Sequence, residues 1–125
     1  MMRVLIVEDD VDALELIQAW SEEQGWDVRT ARTGQAAVGI GKGFKPDLLI
    51  TDYFLDDDVN GLSVIEQLRE EDSNLRVVLI TGSLADALKE SARLLQRVPI
   101  LTKPFDFQRL DQVIRDSHSL CSPQV

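Results

Sequence analysis

The chain has 125 residues, 44% of them apolar, which suffices for one core of ordinary domain size. Its 22 acidic and 13 basic residues leave a net charge of −9, a field that repels a phosphate backbone and so excludes direct nucleic-acid binding. No apolar run approaches the length of a membrane span, no signal-peptide pattern opens the chain, and the lone Cys121 has no internal partner; a cytoplasmic protein whose metal chemistry, if any, uses oxygen ligands is expected.

In chain order, RVLIV at 3–7 concentrates apolar and β-branched residues over a strand's length and reads as a strand. Val11, Leu14 and Ile17 then recur at helical spacing. DVRTA at 27–31 is the second strand, and Trp20 and Trp26 are expected to pack around it and the first helix. Thr33 is placed to cap a second helix. Gly39, Gly41 and Gly43 lower that helix's propensity and raise the question of a phosphate loop. Gly43 stands where such a loop needs Ser or Thr after Gly41 and Lys42, so the helix reading is kept. DLLIT at 47–51 is the third strand, followed by Asn60 as the cap of a helix carrying Leu62, Ile65 and Leu68. RVVLI at 76–80 is the fourth strand, with Ser83 capping the helix after it. VPILT at 98–102 is the fifth, and Pro104 suits the entry to a last helix on which Leu110, Val113 and Ile114 share a face.

Strand and helix thus alternate five times. That order predicts an α/β fold with a five-stranded parallel sheet and helices on both faces, because a parallel connection needs a crossover long enough to hold a helix. Residues 1–125 are expected to form one domain with its core over about 3–116, and 117–125 to be a frayed tail or linker stub carrying a solvent-facing His118.

In such a sheet ligands gather beyond the carboxyl ends of the strands. The residues there are Glu8, Asp9 and Asp10 after the first strand, Asp52 where the third ends, Thr81 where the fourth ends, and Thr102 and Lys103 where the fifth ends. Neighbouring carboxylates repel unless a cation neutralises them, and Mg²⁺ suits an all-oxygen site that must also admit a phosphate. A carboxylate can act as a nucleophile and form an acyl phosphate. A lysine and a hydroxyl would then offset the charge on the transferring oxygens.

The segments VLIVEDD, PDLLITDY, NGLSVIEQLR, VVLITG and ILTKPF resemble the successive signatures of the response-regulator receiver family, over about residues 3–116. The resemblance implies a flavodoxin-like, doubly wound (βα)5 fold of strand order 2-1-3-4-5, which is a known example of the switch-point rule. It implies Asp52 as phosphoacceptor and Glu8, Asp9, Asp52 and the backbone carbonyl of Phe54 as the Mg²⁺ set. Thr81 would be the switch hydroxyl and Lys103 the phosphoryl-binding lysine. The implied partners are a histidine kinase or histidine phosphotransfer protein, an output protein or domain, and a phosphorylation-dependent homodimer. Such a receiver assists its own phosphorylation and is not a conventional turnover enzyme.

Three positions depart from the family pattern. Asp56 replaces a frequent proline four residues after the acceptor, and LDDDVNG runs one residue long, so Asp56, Asp57 and Asp58 are expected to form a solvated loop near the site. Ile100 stands where many members carry an aromatic residue, and Phe54 is expected to limit water access to the acceptor. Two rivals follow. One is a receiver-like binding module independent of phosphorylation. The other is an aspartate-nucleophile phosphatase, disfavoured because Phe54 stands where a second aspartate would be needed.

Overall fold

Along the first strand, side chains alternate between two apolar layers: Leu5 and Val7 enter one, Val4 and Ile6 the other, and all four are buried. The computed structural model describes residues 1–95 and 98–121. Its elements run β1 (Arg3–Val7), α1 (Val11–Glu23), β2 (Asp27–Ala31), α2 (Gly34–Phe44), β3 (Leu48–Asp52), α3 (Gly61–Arg69), β4 (Arg76–Thr81), α4 (Leu84–Leu95), β5 (Ile100–Thr102) and α5 (Phe107–Cys121). All strand pairs are parallel and the order is β2-β1-β3-β4-β5. This is the architecture expected from strand–helix alternation and from the family resemblance.

One face of the sheet packs against α2, α3 and α4 through Ala37, Leu62, Val64, Ile65, Leu68, Ala87 and Leu95. The other packs against α1 and α5 through Leu14, Ile17, Leu110, Val113 and Ile114. Val11, expected on the apolar face of α1, is 40% exposed and lies off that core. Trp20 meets Trp26 edge-on at 5.5 Å and stacks on Phe107 at 5.6 Å, so the two tryptophans tie α1 to β2 and to the start of α5.

The caps follow the sequence with one exception. Thr33 accepts from the Ala36 N–H and Asn60 from the Ser63 N–H, while Ser83 Oγ accepts from the Asp86 N–H. Pro104 does not open α5. Asp106 does, by accepting from the Arg109 N–H at 2.8 Å, and Pro104 lies in the loop before it. Asp52 and Thr81 end β3 and β4, as read from the sequence, whereas β5 begins only after Pro99, which has no N–H to give the ladder.

The expected tail is corrected too: α5 continues to Cys121, and Ser117 is wholly buried, its Oγ bonded to the Ile114 carbonyl. Residues 122–125 and the His118 side chain lie outside the described residues. The Gly39-to-Gly43 segment is helical, as expected over a phosphate loop. Gly41 faces α3 so closely that a Cβ there would lie 2.7 Å from Leu68 Cδ1. No helix among the described residues is long and apolar enough to cross a membrane.

Candidate functional site

β1 and β3 are neighbours in the sheet, so the residues at their carboxyl ends are brought together. Carboxylate oxygens of Glu8, Asp9 and Asp52 all lie within 4.8 Å of one another. Into this group reaches Lys103, from the end of β5. Its Nζ donates at 3.0 Å to Glu8 Oε2 and at 3.0 Å to Asp52 Oδ2. The lysine is aimed by its own backbone, whose N–H donates to the Thr81 carbonyl.

Glu8 is 1% exposed, and burial raises its pKa above the ordinary glutamate value. The nearby Asp52 charge pushes the same way, against the Lys103 ammonium and the Asp10 N–H, which bonds Glu8 Oε1. Burial alone would lower the pKa of Lys103, but its two carboxylate partners outweigh it and hold the ammonium above the ordinary lysine value. Among the described residues, the cluster of three carboxylates is ion-paired to Lys103 through two of its members, Glu8 and Asp52. The donor set is all oxygen, as a hard divalent ion requires.

Asp10, next in sequence, turns away from the cluster. It caps α1 by accepting from the Asp12 N–H. Thr81 stands at the same edge of the sheet, 1% exposed, and its Oγ1 accepts from the Ser83 N–H at 3.1 Å. Phe54 is 37% exposed, with its ring edge-on to Tyr53 at 4.6 Å. A cleft of about 560 Å³ between α2 and α3, lined by Lys42, Lys45, Asp47 and Glu71 among others, opens at the other end of the sheet and includes none of these residues.

The sequence pattern of the family described as "Response regulator receiver domain" matches residues 4–115. The chain belongs to that family. This receiver domain is 29% identical over 107 residues to the probable transcriptional regulatory protein TcrX of Mycobacterium tuberculosis, covering 86% of this chain and 45% of that protein. It is 32% identical over 103 residues to the photosynthetic apparatus regulatory protein RegA of Cereibacter sphaeroides, covering 82% and 55%. The chain therefore spans about half the length of these relatives. Among solved structures, the receiver domain of sensor histidine kinase PA1611 from Pseudomonas aeruginosa PAO1 superposes with a TM-score of 0.80 at 21% identity, covering 94% of this chain and 98% of that one, and shares the fold. That structure has a magnesium ion coordinated in its active-site cleft.

The receiver's long β3–α3 loop departs from expectation at one residue. Asp56 and Asp58 are exposed, but Asp57 is tied down: its carboxylate accepts the Gly34 N–H at 3.0 Å and the Gln35 N–H at 2.9 Å, at the amino end of α2. Desolvation opposes these bonds, yet they prevail and hold the Asp57 pKa below the ordinary aspartate value. A hydrogen bond to the Asp9 carboxyl, reinforced by the Asp9 charge, raises the Asp56 pKa, with Arg32 opposing. The run of three acids was visible in the sequence. Which acid turned toward the cluster and which toward a helix end was not, because adjacent residues of an irregular loop follow no period.

Proposed function

We propose that this receiver domain takes a phosphoryl group from a partner's phosphohistidine onto Asp52 and presents the change on the face of α4, β5 and α5. The observation that carries the reading is the Lys103 ammonium bonded at once to Glu8 and Asp52, within a cluster of three carboxylates at the carboxyl ends of β1 and β3.

In the proposed step an Asp52 carboxylate oxygen attacks phosphorus in line. The O–P bond forms as the P–N bond to histidine breaks, and that electron pair returns to the imidazole nitrogen. Glu8, Asp9, Asp52 and the Phe54 carbonyl would hold Mg²⁺, which when bound neutralises charge on the transferring oxygens. Lys103, already fixed between two carboxylates, is held to bind a phosphoryl oxygen. Because Thr81 Oγ1 accepts from Ser83, its own O–H remains to donate to another. The Phe54 side chain beside the acceptor limits water access. The domain so assists its own modification without being a turnover enzyme.

A shift of Thr81 has a direct route to α4. Ser83, bonded to Thr81 through its N–H, caps that helix with its Oγ on Asp86. Leu84 and Leu88, both exposed on α4, provide apolar contact area for an output protein, an attached domain or a second copy of this chain. A histidine kinase or histidine phosphotransfer protein supplies the phosphoryl group.

The test is incubation with Mg²⁺ and acetyl phosphate, read by intact mass. A gain of one phosphoryl mass that requires the metal and disappears in Asp52→Asn supports the reading. No gain, together with no Mg²⁺ binding, points instead to a receiver-like binding module that works without phosphorylation.

A further inference from the structure

Asp52 closes β3 with its carboxylate in the acidic cluster, and Tyr53, the next residue, places its side chain in an apolar layer. Tyr53 is 0% exposed and belongs to the apolar layer under α2, α3 and α4. Its backbone is held on both sides: the N–H donates to the Ile80 carbonyl at 2.7 Å, and the carbonyl accepts from the Gly61 N–H at 2.9 Å. The hydroxyl crosses the core to α4, where it donates to Glu90 Oε1 at 3.1 Å and shares a 3.0 Å hydrogen bond with Ser91 Oγ. Burial pushes the phenol pKa above the ordinary tyrosine value. Ser91 opposes that shift and the Glu90 carboxylate adds to it, so the O–H keeps its proton.

Helix α4 is a poorly fastened element. Among the described residues it places only Ala87 and Leu95 in the core, and it is kinked at Ser91, whose φ of −147° and ψ of 35° lie outside the helical region. Its first turn is held by Ser83, but toward its other end the described polar contact to the sheet is the Tyr53 hydroxyl, and that contact falls on the kink. A tyrosine ring has few torsions and here is wholly buried, so a displacement of its backbone is passed to its hydroxyl.

We propose that Tyr53 is a positioning residue whose hydroxyl, through Glu90 and Ser91, fixes α4 relative to the acceptor strand and so couples the state of Asp52 to the α4 face. This rests on the reading of Asp52 as phosphoacceptor. The coupling acts at the far end of α4 from Ser83, so the helix receives the signal at two points.

The experiment is backbone hydrogen–deuterium exchange over residues 84–95 in wild type, Tyr53→Phe, Ser91→Ala and the double variant. Each is measured free and with Mg²⁺ and beryllofluoride, with phosphoryl mass gain on Asp52 followed in parallel. Loss of one net hydrogen bond predicts about 3- to 10-fold faster α4 exchange in free Ser91→Ala, at least as much in Tyr53→Phe, which loses the bonds to both Glu90 and Ser91, and no further gain over Tyr53→Phe in the double variant. The difference between free and beryllofluoride-treated α4 should shrink in the variants, while phosphoryl transfer to Asp52 and exchange in β1 and β3 stay at wild-type levels. Should Tyr53→Phe disturb the core, Ser91→Ala at the other end of the contact decides. Exchange over 84–95 within twofold of wild type in both single variants overturns the proposal, as does an undiminished beryllofluoride response. If wild type itself takes no phosphoryl group and shows no beryllofluoride response, the phosphoacceptor reading fails and the coupling falls with it. Faster exchange in the free variants would then show that the hydroxyl anchors the helix alone.

Discussion

At the scale of single residues, the β3–α3 loop shows how one carboxylate can do a different job from its neighbours. Asp57 sits at the amino end of α2 and satisfies two N–H groups that the helix cannot, as a capping residue does, although Thr33 already caps the same helix from within. Replacing Asp57 with Asn keeps the size but removes the charge and one of the two acceptors. The expected loss is about 1 kcal/mol at neutral pH, at the modest end for caps because the group is partly exposed. The folded-state pKa lies below the ordinary value of 3.8, so the carboxylate's contribution is fully present above that value. It is lost as the pH falls through the depressed folded pKa. Urea melts of wild type and Asp57→Asn should therefore differ at pH 7 and converge in strong acid; a gap that persists at the acid end would mean that charge is not its source.

The elements themselves were largely legible as segments. β1 and β2 occupy the residues their apolar and β-branched composition marks, and Leu62, Ile65 and Leu68 of α3 are all buried as their spacing requires. Asp52 closes β3, where it pairs with Ile80 of β4, as read from the sequence; Ser117, expected in the tail, is interior instead, and Arg76 of β4 reaches across to its hydroxyl. The glycines of α2 and α3 give a test at this scale. Nothing lies within 4 Å of a Cβ built at Gly39, so Gly39→Ala should stabilise by about 0.5–1 kcal/mol through helix propensity alone. At Gly61 the added carbon would lie 2.2 Å from the Asp52 carbonyl oxygen, backbone that cannot yield without moving the acceptor strand. Gly61→Ala should cost about 1–3 kcal/mol or more by thermal melting and weaken the site besides. Equal effects from the two substitutions would contradict the packing of α3 on β3.

For the whole molecule, the net charge of −9 and the crowding of Glu8, Asp9 and Asp52 at one edge make cation binding and folding stability one problem. A divalent ion held only by the folded state stabilises it by about 2.7 kcal/mol at a hundredfold excess over its Kd, which raises Tm by roughly 10 °C in a domain of this size. Mg²⁺ should produce that shift in wild type and little of it in Asp9→Asn, a substitution at a half-buried position outside the apolar layers. An equal shift in both would identify general screening of negative charge.

The alternation of β and α segments, the apolar periodicity of α3 and α5, and the acids and lysine waiting at the strand ends are local properties. Burial on two faces and the length of a parallel crossover impose them on the sequence one segment at a time, which is why fold class and the candidate residues could be read from it. The meeting of Lys103 with Glu8 and Asp52 joins residues 95 and 51 apart in the chain; the strand-end rule put them on one edge and the resemblance to receivers supplied the sheet order, but the two bonds themselves came only with the structure. Only the tertiary structure decided that Asp57 would grip α2, that Asp10 would cap α1, and that the Tyr53 hydroxyl would reach α4. Each depends on where a side chain points in an irregular loop or across the core, and that direction is set by packing between distant segments, for which the order of residues carries no period.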